Sequence, residues 1–314
     1  MRICPARHGA FAEGAELCPD CGERLVVDRF GCEPVPGLRL QRLVGRGGGR
    51  ATVWEGVRDD GRGLAVKLTE PEADAAEIQR LIATASLVQG LVHPNLTAVH
   101  AVGRTHEGDA FVVMDLLRGR SLLQVLEHKR ALTPVVAVHV ARAALAGLAA
   151  LHGHGVVHRD VKPANIHLTA PGGGAAWEVK ILDFGIARRF HAGDVPATLE
   201  LGRGAYPGQH GPLVGTPEYM APEQVLGLPC DPRADVYAVG VVLQRLLTGA
   251  LPFVAPDRAA VLEAHLRASP LPLEMPDGFP APDALQLVVA RALAKHPGDR
   301  HRTATDMLQA LGGP

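Results

Sequence analysis

The sequence predicts an α+β chain: a cysteine-rich module comes first, strands crowd the next segment, and helices fill most of the remainder. Three observations carry this. Short apolar runs at 38–44, 52–57, 64–68 and 110–117 have strand length and are separated by turns rich in Gly, Arg and Asp. Longer apolar stretches at 135–151, 235–243 and 283–293 have helical length. Three Cys and one His capable of holding a metal ion lie within residues 4–21.

The chain of 314 residues has room for one two-lobed domain and a small extra module. A net charge of −1 gives no reason to expect a nucleic-acid or membrane-surface partner. Lysine occurs only at 67, 129, 162, 180 and 295, so Lys67 and Lys162 stand out where a compact point charge is needed. No apolar leader opens the sequence. The longest uncharged stretches, 131–141 and 143–157, are interrupted by Arg142 and fall short of the ~20 apolar residues of a membrane span. The odd, clustered cysteines argue against a secreted disulfide framework, and a cytoplasmic location is expected.

Cys18-Pro19-Asp20-Cys21-Gly22 is a tight turn presenting two thiols, and Cys4-Pro5-Ala6-Arg7-His8-Gly9 is the same turn with one extra residue and a histidine. Cys4, His8, Cys18 and Cys21 together make the closed S₃N set of a structural Zn²⁺ site, with Cys32 as a substitute ligand if His8 is not used. The other reading is a disordered tail with unrelated Cys pairs. A segment this short cannot bury a core and needs a staple. Its expected role is to bind a partner protein or to position the rest of the chain. The module spans 1–28, and the Pro/Gly-rich stretch 29–37 reads as a linker.

Two strands flank Gly45-Arg46-Gly47-Gly48-Gly49, a hairpin whose amides can approach phosphates without Cβ clashes, though such a loop alone is often only a loop. The strand Leu64-Ala65-Val66-Lys67-Leu68 puts one lysine among apolar residues, and a helix follows at 72–90. Thr133-Pro134 is a helix start leading into the apolar run 135–151. Then comes His158-Arg159-Asp160-Val161-Lys162-Pro163-Ala164-Asn165. A carboxylate here can accept a hydroxyl proton, an ammonium can neutralise a phosphoryl group, and an amide oxygen can ligate a hard cation. Eighteen residues past Asn165 stands Asp183-Phe184-Gly185.

These two segments, in this order and spacing, resemble the catalytic and metal-binding loops of eukaryotic-type serine/threonine protein kinases, and the first 28 residues resemble zinc ribbons attached to some bacterial members. The resemblance covers roughly 38–310 and implies a bilobal kinase domain over 38–314, with an N-lobe at 38–114, a hinge at 115–118 and a C-lobe at 119–314. It implies transfer of the γ-phosphate of ATP, with Mg²⁺ or Mn²⁺, to a protein substrate. Asp160 would take the acceptor proton and Lys162 would meet the γ-phosphate, while Asn165 and Asp183 would hold Mg²⁺. Lys162 favours the Ser/Thr over the Tyr class. Gly45, Gly47, Gly48, Val53, Ala65 and Lys67 would contact the nucleotide, Met114 would be the gatekeeper, and Asp115 and Leu117 would bond adenine through their backbones.

Gly215-Thr216-Pro217-Glu218-Tyr219-Met220-Ala221-Pro222-Glu223 resembles the family's substrate-docking segment, with Thr216 bonding Asp160 and Lys162. Glu223 is expected to pair with Arg300, and Asp235 to brace the catalytic loop. Three departures support an alternative, a nucleotide-binding pseudokinase scaffold. Val53 falls one residue late. The residue expected to pair with Lys67 counts to Thr84, leaving Glu77 as the substitute. No Ser, Thr or Tyr lies at 210–213, which leaves Thr198, Tyr206 and Thr216 as the loop's hydroxyls. Small-molecule phosphorylation is weaker still, because of the docking segment. No sensor domain is expected after the last helix.

Overall fold

The computed structural model describes residues 1–6, 8–12, 14–47, 50–169, 177–184, 186–190, 215–276, 278 and 280–312. The chain divides into two units, Met1–Val92 with Thr97–Leu117, and His93–Leu96 with Arg118–Pro314.

The first unit opens with a three-stranded antiparallel sheet of β1 (Arg2–Ile3), β2 (Ala10–Phe11) and β3 (Val26–Val27), with β1 central. A five-stranded antiparallel sheet follows, built from β4 (Leu38–Gly47), β5 (Ala51–Arg58), β6 (Gly63–Thr69), β7 (Val99–Arg104) and β8 (Ala110–Asp115) in the order β4-β5-β6-β8-β7. Alternation along β6 sends Leu64, Val66 and Leu68 into a cluster with Leu38, Leu40, Trp54 and Val113. Each such fully buried side chain contributes roughly 1.5–3 kcal/mol. The Trp54 indole is satisfied locally, donating to Thr52 Oγ1 at 2.9 Å. Ile3 of β1 and Val35 pack against this cluster, so the amino-terminal sheet covers part of the larger one.

Residues 29–37 are tied down rather than loose. Arg29 is buried, pairs with Asp109 at 2.5 Å and donates to the Thr69 carbonyl at 3.4 Å. The helix expected at 72–90 is α1 (Ala75–Ser86), and it packs on β7 and β8. It starts late because Asp74 and Glu77 form a reciprocal capping box, and residues 70–73 make a turn closed by the Ala73 amide on the Glu70 carbonyl. The strand expected at 110–117 stops at Asp115.

The second unit is helical with short strands. In chain order it holds β9 (Arg120–Ser121), α2 (Leu122–His128), α3 (Pro134–Gly153), β10 (Val156–Val157), β11 (Ile166–Thr169), β12 (Glu178–Ile181) and β13 (Arg188–Arg189). It continues with α4 (Pro222–Val225), α5 (Pro232–Thr248), α6 (Arg258–Arg267), α7 (Asp283–Ala292) and α8 (Ala304–Ala310). Proline at the first position starts α3 without a side-chain bond from Thr133. Among the described residues α3 alone is long and apolar enough to cross a membrane. Here it is a core helix, packed against α5, α8 and β12. At Gly147 a Cβ would lie 2.8 Å from the Asn95 carbonyl oxygen, so only glycine allows that approach. Helix α5 is apolar nearly all round and buried, and a Cβ on its Gly240 would meet Ala292 Cβ of α7 at 2.8 Å.

Glu223 at the start of α4 and Arg300 are both buried and bond in parallel at 2.7 and 2.8 Å. The guanidinium also donates to the carbonyls of Ala294, Arg233 and Lys295, which ties three chain segments to one charge. The sequence paired these residues, and the geometry shows why Lys could not replace Arg: a planar fork reaches both carboxylate oxygens while its remaining donors stay satisfied. Arg300→Met leaves Glu223 buried and uncompensated, so unfolding in urea should show a loss of about 3–5 kcal/mol. Adding Glu223→Leu should recover part of that loss, because the two substitutions share one interaction.

Candidate active site

The segment after β10 has no regular hydrogen-bonded structure until the 3₁₀ turn Pro163–Asn165, so its shape must be imposed from outside. Asp235, fully buried on α5, imposes it. Its Oδ2 accepts the His158 amide at 2.9 Å and its Oδ1 the Arg159 amide at 2.8 Å, while His152 Nε2 lies 2.7 Å from Oδ2. Burial alone would push this carboxyl up, but the bonds from His152 and the backbone outweigh it and hold Asp235 below the usual carboxylate range. Arg159 takes a left-handed conformation, φ 69°, costing roughly 1–3 kcal/mol. Asp235 offsets this on one side of the residue, and Gln224 Nε2, donating to the Arg159 carbonyl at 2.8 Å, on the other.

Beyond this brace the polar groups converge on Asp160. Lys162 Nζ lies 2.7 Å from Asp160 Oδ2 and donates to Thr216 Oγ1 at 2.6 Å. Asn165 Nδ2 donates to both the Asp160 carbonyl and its Oδ2, each at 2.9 Å. Thr216 Oγ1 lies 3.4 Å from Oδ1. Among the described residues, Oδ2 is therefore held by two strong donors, while Oδ1 has one long contact and can accept a further hydrogen bond. Asn165 has spent its amide hydrogens on Asp160, and its Oδ1 is left as a ligand atom.

His158 links this loop to the next. Its Nδ1 accepts the Asp160 amide at 3.2 Å, so its Nε2 carries the proton and donates to the Leu182 carbonyl at 3.0 Å. Its ring packs on Phe184, with centroids 5.5 Å apart. The Leu182 amide donates to the Asn165 carbonyl at 2.8 Å. These bonds place Asp183, itself left-handed at φ 56°, next in chain to a residue pinned against the catalytic loop. An amide oxygen and a carboxylate are the hard oxygen donors that Mg²⁺ requires, so Asn165 and Asp183 fit that ion by donor type.

In the first unit β4 extends through Gly47 and β5 begins at Ala51, with Gly45 opposite Val53 and Gly47 opposite Ala51. The hairpin tip is thus shorter than the sequence suggests, and Gly48 lies outside the described residues. Lys67 is buried at the middle of β6, in register with Val53 and Val112. A Cβ on Gly47 would come within 2.7 Å of Lys67 Cε, so the glycine makes room for the lysine tail. Ala65 pairs with Met114, and the Asp115 carboxylate is taken up by His100 Nε2 at 2.8 Å, leaving its role to the backbone. Leu117 is half-buried just beyond β8.

Glu77 is engaged in the α1 cap, where its carboxylate accepts the Asp74 amide at 3.2 Å. Asp74-Ala75-Ala76-Glu77 carries the capping-box spacing in its sequence, and that signal was available. Thr84, where the count lands, donates back to the Arg80 carbonyl at 2.8 Å. Gln224 and His152, which hold the Arg159–Asp235 brace, lie 65 and 83 residues from the groups they bond and leave no local signal. Thr198, Tyr206 and residues 210–213 fall outside the described residues.

In the amino-terminal module the ligand atoms of Cys4, His8, Cys18 and Cys21 all lie within 4.8 Å of one another. Cys4 Sγ and Cys21 Sγ are 3.6 Å apart, as are Cys18 Sγ and His8 Nδ1. A tetrahedron with Zn–S bonds near 2.3 Å has edges of about 3.8 Å, so the spacing fits such an ion. Cys32 is exposed and outside this cluster.

A carboxylate, a lysine and an amide clustered beside a second, metal-type carboxylate define a phosphotransferase site. A family model described as protein kinase domain matches residues 38–310, and the chain belongs to the protein kinase family. It is 34% identical over 299 residues to a probable serine/threonine-protein kinase, PknB, of Corynebacterium glutamicum, covering 92% of this chain and 42% of that protein. It is 35% identical over 280 residues to the serine/threonine-protein kinase PknA of Mycobacterium tuberculosis, covering 87% and 60%. It is 37% identical over 332 aligned positions to the serine/threonine-protein kinase Pkn1 of Myxococcus xanthus, covering 98% and 44%. The chain thus spans about half the length of these relatives, and its kinase domain is similar to theirs.

Replacing the brace should be costly at neutral pH. Asp235→Asn presents an amide to groups that need two carboxylate oxygens, and unfolding should show a loss of about 3 kcal/mol. Because the folded pKa is depressed, this contribution is complete above the ordinary carboxylate range and is lost as pH falls below about 4. Urea melts of wild type and variant across pH should therefore converge in acid.

Proposed function

We propose that the chain is a serine/threonine protein kinase, transferring the γ-phosphate of ATP to a protein hydroxyl. The observation that supports this most is the asymmetric Asp160 carboxylate, with Oδ2 held by Lys162 and Asn165 and Oδ1 left to receive a proton. In this reading Asp160 Oδ1 accepts the proton as the acceptor O–H bond breaks and the new O–P bond forms, while the β–γ bridging oxygen leaves with ADP. Lys162 keeps a donor for the γ-phosphate after bonding Asp160 and Thr216. Thr216 joins the substrate-docking segment to the catalytic carboxylate. Lys67, Gly45, Gly47, Gly48, Val53, Ala65, Met114 and the backbones of Asp115 and Leu117 are assigned to the nucleotide. Asn165 and Asp183 would hold Mg²⁺ (Mn²⁺ is compatible with the same oxygens), which supplies charge neutralisation on the phosphates.

The reading also assigns residues 1–28 to a module holding structural Zn²⁺ through Cys4, His8, Cys18 and Cys21. Residues 29–37 connect it to a kinase domain over 38–314, with an N-lobe to 114, a hinge at 115–118 and a C-lobe from 119. The free cysteines are in keeping with a reducing, cytoplasmic location. The substrate is a protein, and the module offers a surface for a second protein.

A second reading, a nucleotide-binding pseudokinase, is favoured by Glu77 being committed to the α1 cap while Thr84 occupies the expected position. Transfer of label from the γ-phosphate of ATP to the protein itself and to a basic protein acceptor separates the two. Label in the wild type should fall about 10²–10⁴-fold in Asp160→Asn, and comparably in Asp183→Asn. Absence of label together with stabilisation by Mg-ATP would support the scaffold and sink the enzyme. For the metal, elemental analysis of purified protein should find one zinc per chain, lost in Cys18→Ser. Wild type without zinc would remove that part of the reading.

A further inference from the structure

Between β6, which carries Lys67, and α1 lies the turn Glu70-Pro71-Glu72. Four arginines from two directions converge on it. From the glycine-rich hairpin, Arg50 Nη1 donates to the Glu72 carbonyl at 2.6 Å, and the Arg50 carbonyl accepts the Glu70 amide at 2.8 Å. Arg46 Nη2 stands 3.8 Å from Glu70 Oε1. From the amino-terminal module, Arg2 ion-pairs with Glu72, and Arg24 adds a second positive charge facing that carboxylate. Arg2 is itself fixed to the module through the Leu25 carbonyl at 3.4 Å, two residues from the metal-type ligand Cys4.

The burial of these groups gives the contacts weight. The Arg2 side chain is 15% exposed and that of Glu72 34%, so the pair is partly shielded from solvent. Glu70 is 3% exposed, and among the described residues neither of its carboxylate oxygens is hydrogen-bonded, nor is the buried Glu72 Oε2. Two carboxylates held mainly by arginine charge cannot stay where they are once that charge is removed. Burial pushes the Glu72 carboxyl up, yet its own amide, Arg2 and Arg24 together hold it below the usual range.

We propose that Arg2 and Glu72 are positioning residues for nucleotide binding: through them the amino-terminal metal module holds Arg50, and with it the glycine-rich hairpin, in the register that receives the phosphates. The assignment rests on the kinase reading and, for its metal dependence, on the zinc reading. Arg2 is assigned a positioning role, not a catalytic one, acting on the hairpin through the 70–72 turn. The module thereby acts on the chain's own nucleotide affinity.

The test uses the full chain with fixed protein acceptor, measuring kcat and KM for Mg-ATP beside thermal stability. Arg2→Ala and Glu72→Gln should each raise the ATP KM about five- to tenfold with kcat within about twofold, the signature of lost ground-state binding. Arg2→Lys should restore KM to within about threefold of wild type, because charge persists while the fork is lost. Arg42→Ala, which breaks the exposed Arg42–Glu55 pair on the same two strands, should leave both constants unchanged. A lowered melting temperature with an unchanged KM in Arg2→Ala would overturn the proposal in favour of a purely structural contact. So would a parallel fall in kcat. If the wild type transfers no phosphate, the kinase reading fails, and the variants are compared by calorimetric Kd for Mg-ATP. An unchanged Kd then overturns the positioning role, and a raised one upholds it. Removing the metal with a zinc-selective chelator should raise KM in wild type and not in Arg2→Ala. A rise only in the residue variants would uphold the Arg2–Glu72 link and overturn its metal dependence.

Discussion

The organisation of the helical unit depends on one buried carboxylate. Asp235 faces two consecutive amides of a segment that has no ladder or helix to hold it, and a left-handed residue lies at the junction. Hydrogen bonds to an ionised acceptor are roughly twice as strong as neutral ones, which is what an irregular loop needs when its own residues offer nothing repetitive. The cost of ionising a fully buried group in the first turn of α5 is met by His152 and by the two amides. Because α5 is packed on all sides, its carboxylate moves with the core, and the loop inherits that rigidity. Glu223–Arg300 does the same work for the segment after Thr216, holding α4 against chain 77 residues away. Together the two pairs bring Thr216 and Lys162 within 2.6 Å, although 54 residues separate them in sequence.

At the centre of the site the chemistry follows from donor counting. A carboxylate with both oxygens equally bonded would be a poor base, and one with neither bonded would wander. Asp160 is divided: one oxygen is fixed by an ammonium and an amide, and the other is weakly held. Lysine suits this place because its three donors rotate independently, so it can bond Asp160 and Thr216 and still offer a charge. In a chain that otherwise prefers arginine as its cation, lysine at this position is informative.

The legible parts of this protein are those where chemistry sits on contiguous residues. The 158–165 and 183–185 segments state their side-chain inventory locally, and the apolar runs at 38–44, 52–57, 64–68 and 135–151 state their periods. Boundaries were less legible. The helix expected from 72 starts at Ala75 because a local capping box competed with the apolar pattern and won. The same box engages Glu77 in the helix cap, a consequence visible in sequence only if Asp74 and Glu77 are read together. Groups acting across the fold were not legible at all. Nothing near Gln224 in the sequence points to the Arg159 carbonyl, and nothing near Arg2 points to a glutamate 70 residues away.

That last contact changes how the amino-terminal module should be viewed. Read from sequence, residues 1–28 are a small module joined by a Pro/Gly-rich linker at 29–37. In the structure Ile3 covers part of the Trp54 cluster, Arg29 is buried against Asp109, and Arg2 reaches Glu72. A module whose own core is only the small cluster of Cys4, Cys18 and Leu25 gains order from these contacts, and the sheet gains a cover for apolar side chains that would otherwise face water. Both sides therefore lose if they separate. The module gathers its Cys/His cluster within 4.8 Å, and the 70–72 turn is bonded by Arg2 of the module and Arg50 of the hairpin. In the proposed reading, ligation at one end of the unit would be felt, through packing and charge, by the strands that carry Gly47 and Lys67.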